Sequence, residues 1–182
     1  MELNIRQVRA LLKVMSVPLE DMRFAAAFIK DKRLFASYRH MLAAIDLDAP
    51  ISNRRIERIE FARWLCCAEQ FDVGAYNPYG ERVWELTENL IAGFDHVPLS
   101  EEDEKIIDMS TSYLSKERCD RASIAFNPEF YATMNELLDV SGWDYSVKLE
   151  FAKDIEVVYV AREETAVLRG TFLFTAMKSV TL

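Results

Sequence analysis

Carboxylates are the most concentrated group of reactive side chains in this sequence. Glu101, Glu102, Asp103 and Glu104 are consecutive, and Asp108 follows about one helical turn later. Two carboxylates at a fixed separation in a cleft can perform acid and base catalysis, as in glycoside hydrolysis. A run of acids also stabilises the first turn of a helix, whose free N–H groups carry partial positive charge. The sequence therefore predicts a helix start, and an enzyme with a carboxylate-based site is kept as an alternative.

The acidic cluster Glu101, Glu102, Asp103, Glu104 and Asp108 is larger than a helix start requires. The serine before it, with one or two acids, completes the capping pattern. Excess negative charge accelerates association with a basic partner, and it also keeps a protein in solution. We interpret these five residues as a partner-binding surface for a basic protein, such as an immunity protein, antitoxin or inhibitor would use to neutralise its target.

Cysteine and histidine are too sparse to predict a metal site or a nucleophile. Cys66 and Cys67 are adjacent, Cys119 stands alone, and His40 and His96 are isolated. Structural zinc sites use four ligands, usually as two spaced pairs. We therefore expect no metal, and we expect Cys66 and Cys67 to be small apolar residues of the core. The odd cysteine count argues against a disulfide framework and is typical of the cytoplasm.

Motifs that bind nucleotides or activate a serine are absent from the sequence. The five glycines are too scattered for a phosphate-binding loop or a dinucleotide fingerprint, and there is no G-x-S-x-G sequence. No apolar run approaches the ~18 residues of a membrane span. We therefore expect a cytoplasmic protein without cofactor that acts by contact rather than by catalysis. Its oligomeric state is left open.

The uneven charge distribution leaves a nucleic-acid-binding alternative. The net charge is −8, yet residues 1–60 carry eleven basic and eight acidic side chains. Arg54, Arg55 and Arg58, followed by a turn at 77–80 and by Val83–Thr87, are similar to a winged-helix unit with its wing. The acidic stretch that follows would repel DNA. We therefore treat a winged-helix DNA-binding regulator as the less favoured reading, and nucleic acid as an unlikely partner.

The hydrophobic periodicity predicts an α+β protein whose first part, residues 4–141, is a bundle of six to seven helices. Leu34, Tyr38, Met41, Leu42 and Ile45, for example, have helical spacing. The predicted helices cover residues 5–15, 18–30, 31–45, 53–70, 83–94, a segment after Ser100 and a segment after Asn127.

The pattern changes to strict alternation at residues 143–151, which indicates a half-buried strand. Residues 155–161 and 166–177 are predicted as two further strands. Because the connections are short, we expect an antiparallel three-stranded meander over residues 143–180. The whole chain, residues 1–182, is expected to form a single α+β domain.

Overall fold

The structure, a computed structural model, describes residues 1–72, 85–119, 125–139, 147–153, 157–162 and 170–177. In these ranges the helices are α1 (Ile5–Val14), α2 (Arg58–Asp72), α3 (Glu88–Ala92), α4 (Glu101–Leu114) and α5 (Pro128–Leu137). The strands are β1 (Glu2–Leu3), β2 (Ala26–Lys30), β3 (Arg33–Tyr38), β4 (Met41–Asp46), β5 (Arg54–Glu57), β6 (Leu86–Thr87), β7 (Arg118–Cys119), β8 (Ala125–Phe126), β9 (Val147–Ala152), β10 (Val157–Arg162) and β11 (Gly170–Met177).

One large antiparallel sheet combines strands from the first third of the chain with strands from its last third. Among the described strands its order is β5-β2-β3-β4-β11-β10-β9-β7, and β8 pairs with the end of β11. The contact between β4 and β11 is a full ladder, which runs from Gly170 opposite Ile45 to Phe174 opposite Met41. β1 and β6 form a separate two-stranded pair.

The sheet is covered by helices on both faces. Successive residues of β2 illustrate this: Ala27 and Ile29 belong to the core beneath α1, α2 and α5, whereas Ala26 and Phe28 belong to the core beneath α4. All four are fully buried. Because successive side chains of a strand point to opposite faces, burial of these consecutive residues of β2 means that both faces of the sheet are covered and shielded from water there.

Three alanines form a row across the centre of the sheet on the α1 side. Ala27 is paired with Ala36, and Ala36 with Ala43, and all three are fully buried. Residues of α1 such as Val8 and Leu11 belong to the same core. Small side chains at this position let the helix lie close to the strands.

The predicted bundle of six to seven helices followed by a three-stranded meander is wrong. Residues 18–30 and 31–45, both predicted as helices, contain a 3-10 turn (Met22–Phe24) and the strands β2, β3 and β4. The segment 53–70 is β5 followed by α2, and Ser52 does not cap a helix there. Strands buried on both faces carry no alternating pattern, and their alanines favour a helical reading.

Helices with clear end signals were predicted correctly. Asn4 caps α1 in a reciprocal capping box with Gln7. Ser100 caps α4, and Asn127 followed by Pro128 begins α5. The last three strands, β9, β10 and β11, do pair in chain order as antiparallel neighbours, although they are part of the larger sheet. The predicted turn at 77–80 and the strand start at 143–146 lie outside the described residues.

The segments that contain α2 and α3 also differ from the prediction. The helix predicted for residues 83–94 is reduced to β6 and the short α3 in the part that is described. Phe61, Leu65 and Ala68 are buried residues of α2, whereas Ile59 is 51% exposed. Cys67, predicted to lie in the core, is exposed as well. Within the described residues no helix is long and apolar enough to cross a membrane.

Candidate functional site

The start of α4 is built around Asp103. Its Oδ2 accepts hydrogen bonds from the backbone N–H of Ser100 at 2.8 Å and from the Ser100 hydroxyl at 2.7 Å. The Asp103 N–H donates back to Ser100 Oγ at 3.2 Å. Asp103 is only 3% exposed. One of the five predicted partner-binding residues is thus buried and holds the helix start together.

Arg55 of β5 connects this helix start to the sheet. Its Nη1 donates to Asp103 Oδ1 at 2.8 Å, and its Nε donates to Glu57 Oε1 at 2.7 Å. The guanidinium also lies 5.5 Å from the ring centroid of Phe28. Both members of the Arg55–Asp103 pair are largely buried, so the pair is screened little by water and salt.

Local interactions shift the titration of both partners. Burial acts to raise the pKa of Asp103, but hydrogen bonds from Ser100 and the charge and hydrogen bond of Arg55 outweigh it, so the pKa lies below its ordinary value. Burial acts to lower the pKa of Arg55, and the carboxylates of Glu57 and Asp103 outweigh that effect and raise it. Both groups are therefore charged at neutral pH.

Three further residues of the acidic cluster contact cations of the same chain. Glu104 accepts a hydrogen bond from Lys30, and Asp108 lies 3.9 Å from the same ammonium group. The hydrogen bond from Lys30 to Glu104 is the main reason why the pKa of Lys30 is raised. Glu102 lies 3.7 Å from Arg23. Glu101 is exposed and has no ion pair with the described residues. Contact with a partner stays a prediction for this cluster.

A cleft of about 340 Å³ lies between α4 and the sheet. Phe35 and Ile107 form its apolar part; the other lining residues are Lys30, Asp31, Arg33, Asp46, Asp108 and Thr111. Arg33 Nε donates to Asp46 Oδ1 at 2.6 Å, which matches the pairing of these two residues across β3 and β4. The cleft thus places three acids and two cations around an apolar wall.

Asp31 and Lys32 form the two-residue turn between β2 and β3 at the edge of this cleft. Both have positive φ, 50° and 62°, a conformation that favours Gly, Asn or Asp. The Asp31 N–H donates to the side chain of Asn53 at 3.2 Å, and Leu47 N donates to Lys32 O at 2.8 Å. These bonds hold the turn in its left-handed conformation.

An exposed loop with apolar side chains, residues 16–24, lies next to the acidic cluster and is called the apolar loop below. The sequence predicted a helix in its place. Met22 lies in the helix predicted for residues 18–30, where its spacing with Ala25 and Ala26 indicates an inward-facing position, yet it is 71% exposed, and Leu19 is fully exposed. Val17 of the same segment is 41% exposed. The sequence carried no signal against the helix predicted for residues 18–30, because Pro18 is tolerated in the first turn of a helix.

The arginines of the winged-helix hypothesis are engaged within the chain. Arg54 donates to the carbonyls of Ser52 and Ala92. Arg55 is in the ion pair with Asp103 described above, and Arg58 is half-buried with Nη2 3.4 Å from the carbonyl of Leu12. The three do not form one exposed basic helix face, because Arg54 and Arg55 belong to β5. The predicted wing consisted of the turn at 77–80 and residues 83–87. Residues 77–84 lie outside the described part, and Leu86–Thr87 form β6.

The cysteines do not behave as predicted. Cys66 and Cys67 are both exposed on α2, and Cys119 is half-buried. Among the residues that the structure describes, no group of three or more His, Cys, Asp or Glu side chains could hold a metal ion. His40 lies against the ring of Phe130, with 5.7 Å between the ring centroids.

The features that could support function in the described residues are thus the acidic start of α4, the cleft beside it and the apolar loop. Comparison of the chain with known protein families, with curated proteins and with solved structures finds no match.

Proposed function

We propose that this protein acts by binding a basic protein partner through the surface around α4, and that this contact neutralises the partner in the manner of an immunity protein, antitoxin or inhibitor. The observation that supports the proposal is the local excess of acid. The count covers the residues of α4, the cations that pair with its acids, the acids that pair with those cations, and the residues that line the cleft. Together they comprise nine carboxylates and five cationic side chains. The local net charge is therefore −4, half of the −8 of the whole chain.

The cations of the chain leave part of this charge without compensation. Arg55 and Lys30 are occupied by Asp103 and Glu104. The Glu102 side chain is 61% exposed and only 3.7 Å from Arg23, which itself bonds to Asp21 at 2.7 Å. An exposed pair of this kind is weak and leaves the carboxylate accessible. Together with Glu101 it provides negative charge that a basic surface can approach.

Electrostatic attraction of this kind acts mainly on the association rate. Charged patches of opposite sign accelerate encounter, and salt reduces the effect over a Debye length of roughly 8–10 Å. A protein that must intercept a basic target quickly would benefit from such a surface. A small acidic protein fits this role, and its sequence contains neither the G-x-S-x-G motif of a nucleophilic serine nor a phosphate-binding motif.

The test uses variants that change charge and leave the fold intact. Glu101→Gln with Glu102→Gln removes two exposed charges and spares Asp103 and Glu104, whose bonds hold α4 in place. The control is Glu2→Gln with Glu129→Gln, which removes the same charge from exposed positions on β1 and α5. A basic partner is first isolated by affinity capture and identified by mass spectrometry.

Association and dissociation rates are then measured by surface plasmon resonance at low and high salt. We expect the α4 variant to associate several-fold more slowly than the control at low salt and to match it at high salt, with a smaller change in dissociation. Equal association rates for the two variants at low salt would contradict the proposal. The absence of any basic partner together with turnover of a small molecule would contradict it as well.

A further inference from the structure

The apolar loop, residues 16–24, displays three large apolar side chains to solvent. Leu19 is fully exposed, Met22 is 71% exposed and Val17 is 41% exposed. A single exposed leucine is ordinary on a protein surface. Three such side chains within six residues form a local apolar patch, and patches of this kind mark interaction sites.

The loop is held in one conformation by hydrogen bonds. Ser16 N donates to Phe24 O at 3.0 Å and closes the loop at its base, and Glu20 N donates to Val17 O at 2.9 Å near its tip. The Asp21 side chain accepts a hydrogen bond from Arg23 N at 3.1 Å. An ordered loop presents its apolar side chains at low entropic cost, as an interaction surface requires.

Arg55 attaches the loop to the start of α4. Its guanidinium donates to Met22 O at 2.7 Å and to Arg23 O at 3.1 Å, and the same group bonds to Asp103. The Arg23 side chain lies 3.7 Å from Glu102. The apolar loop and the acidic helix start therefore form one continuous surface fixed by a buried ion pair.

The charges around the loop favour a basic occupant. Five carboxylates form ion pairs with three guanidinium groups on or beside the loop, and Glu101, next to Glu102 on α4, is a sixth, which gives a net charge of −3. The paired carboxylates are Glu20, Asp21, Glu57, Glu102 and Asp103, and the cations are Arg23, Arg39 and Arg55. A second copy of this chain would bring a surface of the same sign against it. Like charges at an interface oppose association.

We propose that the apolar loop anchors the apolar face of an amphipathic basic segment of the partner, while Glu101 and Glu102 meet its basic residues. The inference rests on the proposed function and adds the kind of segment that is bound. Leu19 and Met22 provide the apolar contact, and the flexible thioether of Met22 adapts to varied side chains. This arrangement recognises a helix that carries apolar and basic residues on different faces.

The experiment uses three synthetic probes whose binding is measured by fluorescence anisotropy. The first is an 18-residue peptide of Leu and Lys with the leucines at helical spacing, a length chosen as roughly five turns. The second has the same composition in an order that removes the apolar face, and the third is oligolysine of the same length. We expect wild type to bind the first probe at least about tenfold more tightly than the second.

Leu19→Ser with Met22→Ser should reduce the affinity for the first probe to about that for the second. The control is Ile59→Ser with Leu90→Ser, which changes two side chains that are 51% and 46% exposed elsewhere on the surface, and it should retain wild-type affinity. Because all four positions are exposed, thermal unfolding should be unchanged in both variants, and this is checked by circular dichroism.

The outcomes separate this inference from the proposed function. If Glu101→Gln with Glu102→Gln weakens binding of every probe and the loop variant changes nothing, the inference is wrong and the proposed function stands. If no probe binds to wild type, the inference is wrong, and the proposed function is then decided by the association rates measured with the isolated basic partner. If sedimentation shows a dimer that the loop variant abolishes, a second copy covers the loop and the inference is overturned.

Discussion

Arg55 on β5 and Asp103 at the start of α4 form a largely buried ion pair, with Nη1 2.8 Å from Oδ1. They are 48 residues apart in the chain. The same guanidinium holds the apolar loop through two carbonyl groups. Arg55 thus positions α4, the apolar loop and the edge of the sheet relative to each other. Loss of Asp103, its buried partner, should therefore destabilise the fold.

Replacement of Asp103 by Ala should lower the free energy of unfolding by about 3 kcal/mol, because it leaves the largely buried Arg55 with only the exposed carboxylate of Glu57 and removes the capping box. Urea denaturation monitored by circular dichroism measures the change. The control is Glu102→Ala, which removes a neighbouring but exposed carboxylate and should leave the unfolding midpoint close to that of wild type. Equal effects of the two substitutions would contradict the assigned role of Asp103.

The stabilisation by Asp103 should depend on pH. Its pKa in the folded protein lies below the ordinary value of 3.8, so folding favours the ionised carboxylate. The contribution is complete when the pH is well above 3.8 and is lost as the pH falls through the folded-state pKa. The difference in unfolding free energy between wild type and Asp103→Asn should therefore be constant near neutral pH and shrink in acid. A difference that stays constant down to about pH 3 would show that the carboxylate is not the responsible group.

The alanine row should resist larger side chains. Ala36→Leu places extra methyl groups between β3 and α1, where Ala36 is fully buried, and we expect a loss of stability of about 1–3 kcal/mol. Ala92→Leu, at an exposed position of α3, is the matched control and should have little effect. Tolerance of leucine at position 36 would mean that helix and sheet are less closely packed than the structure shows.

Two of the three thiols should react quickly in the native protein. Cys66 and Cys67 are exposed on α2 and Cys119 is half-buried, so Ellman's reagent at neutral pH should give a fast phase of two thiols and a slower phase of one. Cys119→Ser should retain the fast phase, and Cys66→Ser with Cys67→Ser should remove it. A single slow phase would instead place these cysteines in the core, as the sequence suggested.

The parts of the fold that could be predicted are those whose sequence signal lies within a few residues, such as a helix cap. The caps Asn4, Ser100 and Asn127 act within one helical turn, so the helices they begin were located correctly. The helix predicted for residues 31–45 failed for a reason that the register shows. Leu34 is paired with Ile45 across β3 and β4, so residues that gave a helical spacing along the chain face each other across a hairpin instead.

The candidate site was accessible to sequence reasoning only in part. The acidic cluster was visible as composition, but its division into the buried Asp103 and exposed acids such as Glu102 depends on Arg55 and Arg23, which are distant in the chain. The apolar loop was hidden because Met22 fitted a helical pattern with Ala25 and Ala26. Only the tertiary structure shows that Met22 is exposed while Ala26 is buried in a strand.

The most direct test of the account is a map of the binding surface by nuclear magnetic resonance. The ¹⁵N-labelled protein is titrated with the amphipathic Leu and Lys peptide, and shifts of the backbone amide resonances are recorded. The account predicts that the largest shifts lie in residues 17–23 and 100–104, and that Glu101→Gln with Glu102→Gln weakens them at low salt. Largest shifts on α1 and α5, on the opposite face of the sheet, or no shifts at all would contradict it.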